Sequence, residues 1–146
     1  MILGLGIDVI EVKRVEASLT RFAKRFETRV FTERERAYCR AKKTKAAESY
    51  ALRWAAKEAV AKAMGTGIRG GVDFADIEVE TDALGRPSIR LHGGAASAAK
   101  KRGIAKFHLS LTHEGELAVA FAVAEGAVAP KAATKKRTTK AKRRSR

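Results

Sequence analysis

The sequence predicts an α+β domain, an antiparallel or mixed sheet packed against helices, on three observations. An Ala-rich stretch ending in Gly65-Thr66-Gly67 carries a helical period, the segments after Ile77 alternate apolar and polar residues, and Ile2–Val9 opens the chain as an apolar run. With 146 residues and 45% hydrophobic content, one small domain has enough material for a core.

Ile2–Val9 reads as a buried strand in which Gly4 and Gly6 admit another backbone, with Asp8 near its end as a helix cap or a functional acid. From Glu11 to about Arg29 the period is helical, with Val12, Val15, Leu19, Phe22 and Phe26 on one stripe that anchors the helix to the core. Arg14, Arg21 and Arg25 line another face, either simply solvated or a docking strip for an acidic partner. Thr32-Glu33-Arg34-Glu35 matches a capping box and starts a short helix running to about Lys42. The Ala-rich helix follows, from about Ala46 or Tyr50 to Met64.

Along that helix, at about 100° per residue, Leu52, Ala55, Ala56, Ala59, Val60 and Ala63 form one apolar arc with Glu58 and Lys62 at its margin. An exposed Glu-Lys pair at this spacing is worth only a few tenths of a kcal/mol. The same pair at the edge of a core is also a carboxylate and an ammonium held for a ligand, and the Gly65-Thr66-Gly67 turn is expected to offer free backbone groups beside it. Gly65–Gly71, with four glycines in seven residues, is a flexible loop.

Ile77–Thr81 and Ser88–Leu91 alternate around the Asp82–Pro87 turn, which makes a hairpin, and Gly94–Lys101 is a short helix ended by Gly103. Lys106–Thr112 alternates with Phe107, Leu109 and Leu111 on one side and His108, Ser110 and Thr112 on the other. After a turn at His113–Glu116, Leu117–Ala124 is apolar throughout, as a central strand covered on both faces would be.

The net charge of +15 is unevenly spread. Residues 130–146 hold nine Lys or Arg and no acid; removing them from the 31 basic residues leaves 22 against 16 acids, a net +6. Residues 1–129 are therefore expected to be the domain, and 130–146 a disordered basic tail capable of nonspecific nucleic-acid contact. A nucleic-acid-binding protein acting through that tail is the alternative function. No run of eighteen apolar residues and no basic-then-apolar leader is present, so a cytoplasmic protein without a membrane span is expected. Cys39 alone forms no internal disulfide, and with His92, His108 and His113 it makes no zinc pattern. There is no Gly-x-Ser-x-Gly elbow and no Walker loop.

Asp8 and Glu58 are the carboxylates that stand out by position. Brought together they would suit Mg²⁺, which binds through few acids and completes its shell with water and substrate phosphates, and Lys62 would neutralise a phosphate oxygen. Ser110, Thr112 and His113 add hydroxyl and imidazole donors for a nucleotide.

Gly6-Ile7-Asp8 with Arg14, then Trp54-Ala-Ala-Lys57-Glu58-Ala-Val-Ala-Lys62-Ala-Met-Gly65-Thr-Gly67, then His108-Leu-Ser110-Leu-Thr112-His113 together resemble the 4′-phosphopantetheinyl transferases, most closely the short bacterial holo-[acyl-carrier-protein] synthase group. The resemblance spans about residues 1 to 125. It implies transfer of the phosphopantetheine arm of coenzyme A to a serine of apo acyl carrier protein, with release of adenosine 3′,5′-bisphosphate. It further implies Asp8 and Glu58 as the Mg²⁺-binding acids, Lys62 as the lysine on the phosphates, and Glu58 or a metal-bound water as the base, the water being favoured. Arg53, Gly65, Thr66, Gly67, Ser110, Thr112 and His113 fall where the family handles the nucleotide, and Arg14, Arg21 and Arg25 where it meets the acidic carrier. A homotrimer with sites between subunits is implied too. Arg53, roughly 140° from Glu58 around the helix, would then serve a neighbour's site. Thr112 stands where a serine is common, and the tail is outside the family pattern.

Overall fold

A computed structural model describes residues 1–128. The basic tail expected over 130–146 lies outside them. The elements are β1 (Ile2–Glu11), α1 (Val12–Val30), α2 (Glu33–Arg40), α3 (Ala46–Met64), β2 (Ile77–Thr81), β3 (Pro87–Leu91), α4 (Gly93–Lys101), β4 (Ile104–Glu114) and β5 (Leu117–Gly126), with single 3₁₀ turns at Lys43–Lys45 and Phe74–Asp76. β5 is the middle strand of an antiparallel sheet ordered β1-β5-β4, and β2 and β3 form a separate hairpin. The expected α+β class and each expected element are present. Among the described residues no helix is long and apolar enough to cross a membrane.

The sheet presents small residues to α3. Ala118, Ala120, Ala122 and Ala124 of β5 are buried on the side where α3 packs, with Ala55, Ala56, Ala59 and Ala63 opposite. Gly4 and Gly6 carry this contact on β1: a Cβ added to either would lie 1.9 Å from the carbonyl oxygen of Ala63 or Ala59. Backbone thus meets backbone, which only glycine permits. Gly4 meets Ala63 and Gly6 meets Ala59, so β1 and α3 run antiparallel.

Two expectations are corrected. β5 is central but covered on one face only: within the chain, Leu5 (59% exposed), Ile7 (57%), Val9 (54%) and Phe121 (42%) leave the opposite sheet face open and apolar. Continuous apolarity reads as burial on both sides, yet among the described residues no second layer covers this face. α1 is also broken at Ala23, whose φ of 41° and ψ of −126° are neither helical nor favourable for an L residue. The break turns Phe26 inward, onto Phe31 and Trp54 with ring centroids 5.9 and 5.2 Å away, and leaves Phe22 exposed beneath Arg21 rather than in the core.

Gly6→Ala should lower unfolding stability by about 3–5 kcal/mol, because α3 must retreat to admit the methyl group. Urea denaturation checks this; a loss below about 1 kcal/mol would show that the α3–β1 contact is looser than described.

Candidate active site

Asp8 sits on the face of β1 that turns toward α3, in the antiparallel register that places it opposite Ala120. Glu58, on α3, lines with it a cavity of about 150 Å³ completed by Val9, Ile10, Arg14 and Trp54. Two sequence-distant carboxylates thus share one small space. Burial pushes the Glu58 carboxyl above the usual range and the charge on Asp8 adds to this, while the Trp54 indole N–H and Lys62 pull it back. Trp54 is held between Phe26 and Phe74, 5.2 and 5.7 Å away, and so presents its ring edge from a fixed position.

Lys62 follows Glu58 by one turn and donates from Nζ to Asp8 Oδ1 and to the Ile7 carbonyl, each at 2.9 Å. Helical side chains lean toward the helix N-terminus, which along α3 is the direction of Asp8. Arg14 reaches the cavity because α1 starts directly after β1.

The donor set fits a divalent cation that takes few protein ligands. Two carboxylates of hard oxygen face one cavity, one of them is destabilised by the other's charge, and room remains for water or substrate oxygens. Among the described residues no third Asp, Glu, His or Cys joins them.

The Gly65-Thr66-Gly67 turn differs from expectation. Gly65 caps α3 at φ 74°, and the three amides donate to the carbonyls of Ala61 and Lys62, so they are not free for a ligand. The helix end consumes its own orphan groups. What the turn leaves is the Thr66 hydroxyl, buried without a partner.

The other residues expected at a nucleotide lie elsewhere in the chain. Arg53 is buried on the far side of α3, where its guanidinium stacks 3.9 Å from the Tyr38 ring centroid and donates to Thr81 Oγ1 at 2.9 Å; its Nε has no partner. It borders a cavity of about 330 Å³ with Tyr38, Lys42, Lys45, Thr81 and Leu111. His113 is held near Glu48 of α3, at 3.4 Å. Ser110 and Thr112 point from β4 to the open sheet face, in rows with Phe121 and Ile7 and with Val119 and Val9. One chain therefore carries two separate groups: Asp8, Glu58 and Lys62 on one side, and Arg53, Ser110, Thr112 and His113 on others.

Arg14, Arg21 and Arg25 are all exposed on α1. Beyond the expected strip, the break at Ala23 opens an apolar cavity of about 310 Å³ lined by Phe22, Arg25, Phe26 and Arg29. Phe22 and Arg29 join the docking candidates through a kink that no glycine or proline announces.

The family model described as the 4′-phosphopantetheinyl transferase superfamily matches residues 4–122. The chain belongs to that superfamily. Within it, the chain is a holo-[acyl-carrier-protein] synthase. The synthase of Koribacter versatilis is 47% identical over 125 residues, covering 86% of this chain and 99% of that one; the synthase of Anaeromyxobacter dehalogenans strain 2CP-C is 50% identical over 130 residues, covering 87% and 98%. The crystal structure of the Neisseria meningitidis synthase superposes with a TM-score of 0.77 at 39% identity, over 86% of this chain and 99% of that one. The Helicobacter pylori synthase in complex with coenzyme A gives 0.74 at 28% identity, over 83% and 99%.

Lys57, within the same motif, takes no part in the cavity. Fully buried, it donates from Nζ to Glu35 Oε2 (2.8 Å), the Phe74 carbonyl (3.0 Å) and the Ile77 carbonyl (2.6 Å), while Glu35 also accepts from the amides of Thr32 and Val79. Burial lowers the pKa of this ammonium and the Glu35 charge opposes that. Removing one partner should strand the other: Lys57→Ala is expected to cost about 3–5 kcal/mol, whereas Lys57→Met with Glu35→Leu should recover only part of it, because the Thr32 and Val79 amides and the Phe74 and Ile77 carbonyls lose their partners. Thermal unfolding of the three proteins decides; equal stability of Lys57→Ala and wild type would contradict the structural role.

Proposed function

We propose that this synthase transfers the 4′-phosphopantetheine group of coenzyme A to a serine of an apo acyl carrier protein in a Mg²⁺-dependent reaction, releasing adenosine 3′,5′-bisphosphate. The observation that carries the reading is the single cavity shared by Asp8 and Glu58 with the Lys62 ammonium at Asp8. The serine hydroxyl gives its proton to a water in the site as its oxygen bonds to the phosphorus of the pantetheine phosphate, the bond to the bridging oxygen breaks, and the adenosine bisphosphate departs with the electron pair. Mg²⁺ held by Asp8 and Glu58 would neutralise diphosphate charge. Lys62 neutralises a phosphate oxygen as negative charge spreads over the breaking anhydride. Glu58 is assigned to holding the cation and not to taking the serine proton, because a ligating carboxylate is the weaker base.

The two separated groups, together with the open apolar sheet face, support active sites completed between subunits, in the homotrimer that the family resemblance implies. Arg53, with its stacked guanidinium and free Nε, suits a nucleotide phosphate; the Thr66 hydroxyl, Ser110, Thr112 and His113 suit the remaining polar groups, and Gly65 and Gly67 let the ligand approach the backbone. Arg14, Arg21 and Arg25 attract the acidic carrier, mainly by raising its association rate, while the cavity at Phe22 and Phe26 accepts an apolar side chain. The reaction is assigned to the cytoplasm, on the reading that its coenzyme A and carrier-protein substrates meet there. The nine basic residues of 130–146 add nonspecific, salt-sensitive nucleic-acid contact to this activity.

Intact-protein mass spectrometry of an apo acyl carrier protein, incubated with coenzyme A, Mg²⁺ and the enzyme, should show a chelator-sensitive gain of one phosphopantetheine, and Glu58→Gln should lower the rate at least about a hundredfold while staying folded. A Glu58→Gln enzyme near wild-type rate would contradict the metal assignment. Phe121→Glu, which buries a charge at the centre of the apolar face, should convert the trimer to monomer and abolish transfer. Light scattering reads the first effect; a monomeric variant that retains full activity would show that one chain suffices.

A further inference from the structure

Building on the assignment of Asp8 and Glu58 to a divalent cation, we propose that Lys62 is a tethered stand-in for that cation: its ammonium occupies Asp8 in the unloaded enzyme, the arriving metal displaces it, and it is thereby released toward the diphosphate. The contact itself carries this. Nζ donates at 2.9 Å to Asp8 Oδ1 and at 2.9 Å to the Ile7 carbonyl, so two of its three protons are spent on β1, at the strand position that carries the acid. Asp8 is largely covered, with 17% of its side chain exposed, whereas Lys62 is 51% exposed. The lysine can therefore leave by side-chain rotation alone, and the acid cannot. The charges around the cavity divide unequally. Asp8 has the ammonium; among the described residues Glu58 has no ion pair within 4 Å, and the other cation lining the cavity is the exposed Arg14. A divalent ion drawn in by Glu58 would meet the like-charged Lys62 ammonium at Asp8 unless Lys62 moved. Released, the ammonium remains one turn from Glu58 on the same helix, beside any phosphate that a metal between the two acids would bring in.

Such an exchange couples the two ligands. A diphosphate that engages the freed lysine favours the metal-bound state, and the metal favours the diphosphate by the same factor. In the unloaded enzyme Lys62 also spares Asp8 the cost of an uncompensated, partly buried charge.

The test uses Mn²⁺ as the probe and the full-length protein without coenzyme A, with free Mn²⁺ read by electron paramagnetic resonance. Lys62→Met should bind Mn²⁺ roughly fivefold more tightly than wild type, about what an ion pair at a half-exposed site is worth. In the Asp8→Asn background the gain should vanish, because the competitor then has nothing to occupy. In wild type with lysine labelled at ¹³Cε, the Lys62 resonance should shift as Mg²⁺ is added. The exchange is overturned if Lys62→Met binds Mn²⁺ no more tightly, if the gain survives in Asp8→Asn and so reflects plain repulsion, or if the Lys62 resonance stays fixed at saturating Mg²⁺. Wild-type Mn²⁺ affinity in both Asp8→Asn and Glu58→Gln would overturn the metal assignment itself, a failure distinct from the other three.

Discussion

The contact on which the site depends is the backbone approach of β1 to α3 at Gly4 and Gly6. Each glycine lets a helix carbonyl sit where a methyl group would be, and the alanines of β5 extend the same close seam across the sheet. Because this contact sets the separation and the antiparallel sense of the two elements, it also sets the residues beyond it. Asp8 emerges two residues past Gly6, and Glu58 one residue before Ala59. Each acid is thus a near neighbour of the contact, and their common cavity follows from it. Lys62 lies three residues past Ala59 and leans back to the strand.

A second contact holds α3 from the other side. Lys57, adjacent to Glu58, is buried in a satisfied ion pair that joins α3 to α2 and to the start of β2. In one motif of α3, alternating directions serve separate ends: Glu58 faces the cavity, Lys62 reaches Asp8 on β1, Lys57 faces the core, and Arg53 the cavity beside Tyr38. An Ala-rich helix suits this, since small residues between the charged ones allow close packing on several sides. The chain's two site groups remain apart because α3 and the sheet stand between them.

Much of this was legible in the sequence because it is periodic or local. The alternation of Phe107, Leu109 and Leu111 against His108, Ser110 and Thr112 gave β4 its two faces, the Thr32–Glu35 box is formed in the structure, and Gly65 ends α3. Asp8 and Glu58 stood out by position, and their meeting reflects an expected glycine contact. What was not legible depends on partners elsewhere. Ala23 is a strong helix former and carries no sign of the break that exposes Phe22. Lys57 on a helix reads as solvated until Glu35, 22 residues away, is found beside it. The amides of Gly65-Thr66-Gly67 looked available because the carbonyl that takes most of them, Ala61 O, is a turn earlier in the same helix. The apolar run of β5 could not reveal that its second face is left open by the described residues.

The most direct test of the central claim is a crystal structure grown with Mn²⁺, with data collected at the manganese absorption edge. One anomalous peak per chain is expected, coordinated by Asp8 and Glu58 of the same chain. A peak bound by only one of these acids, or by acids of two different chains, would contradict the claim that the β1–α3 contact alone assembles the metal site.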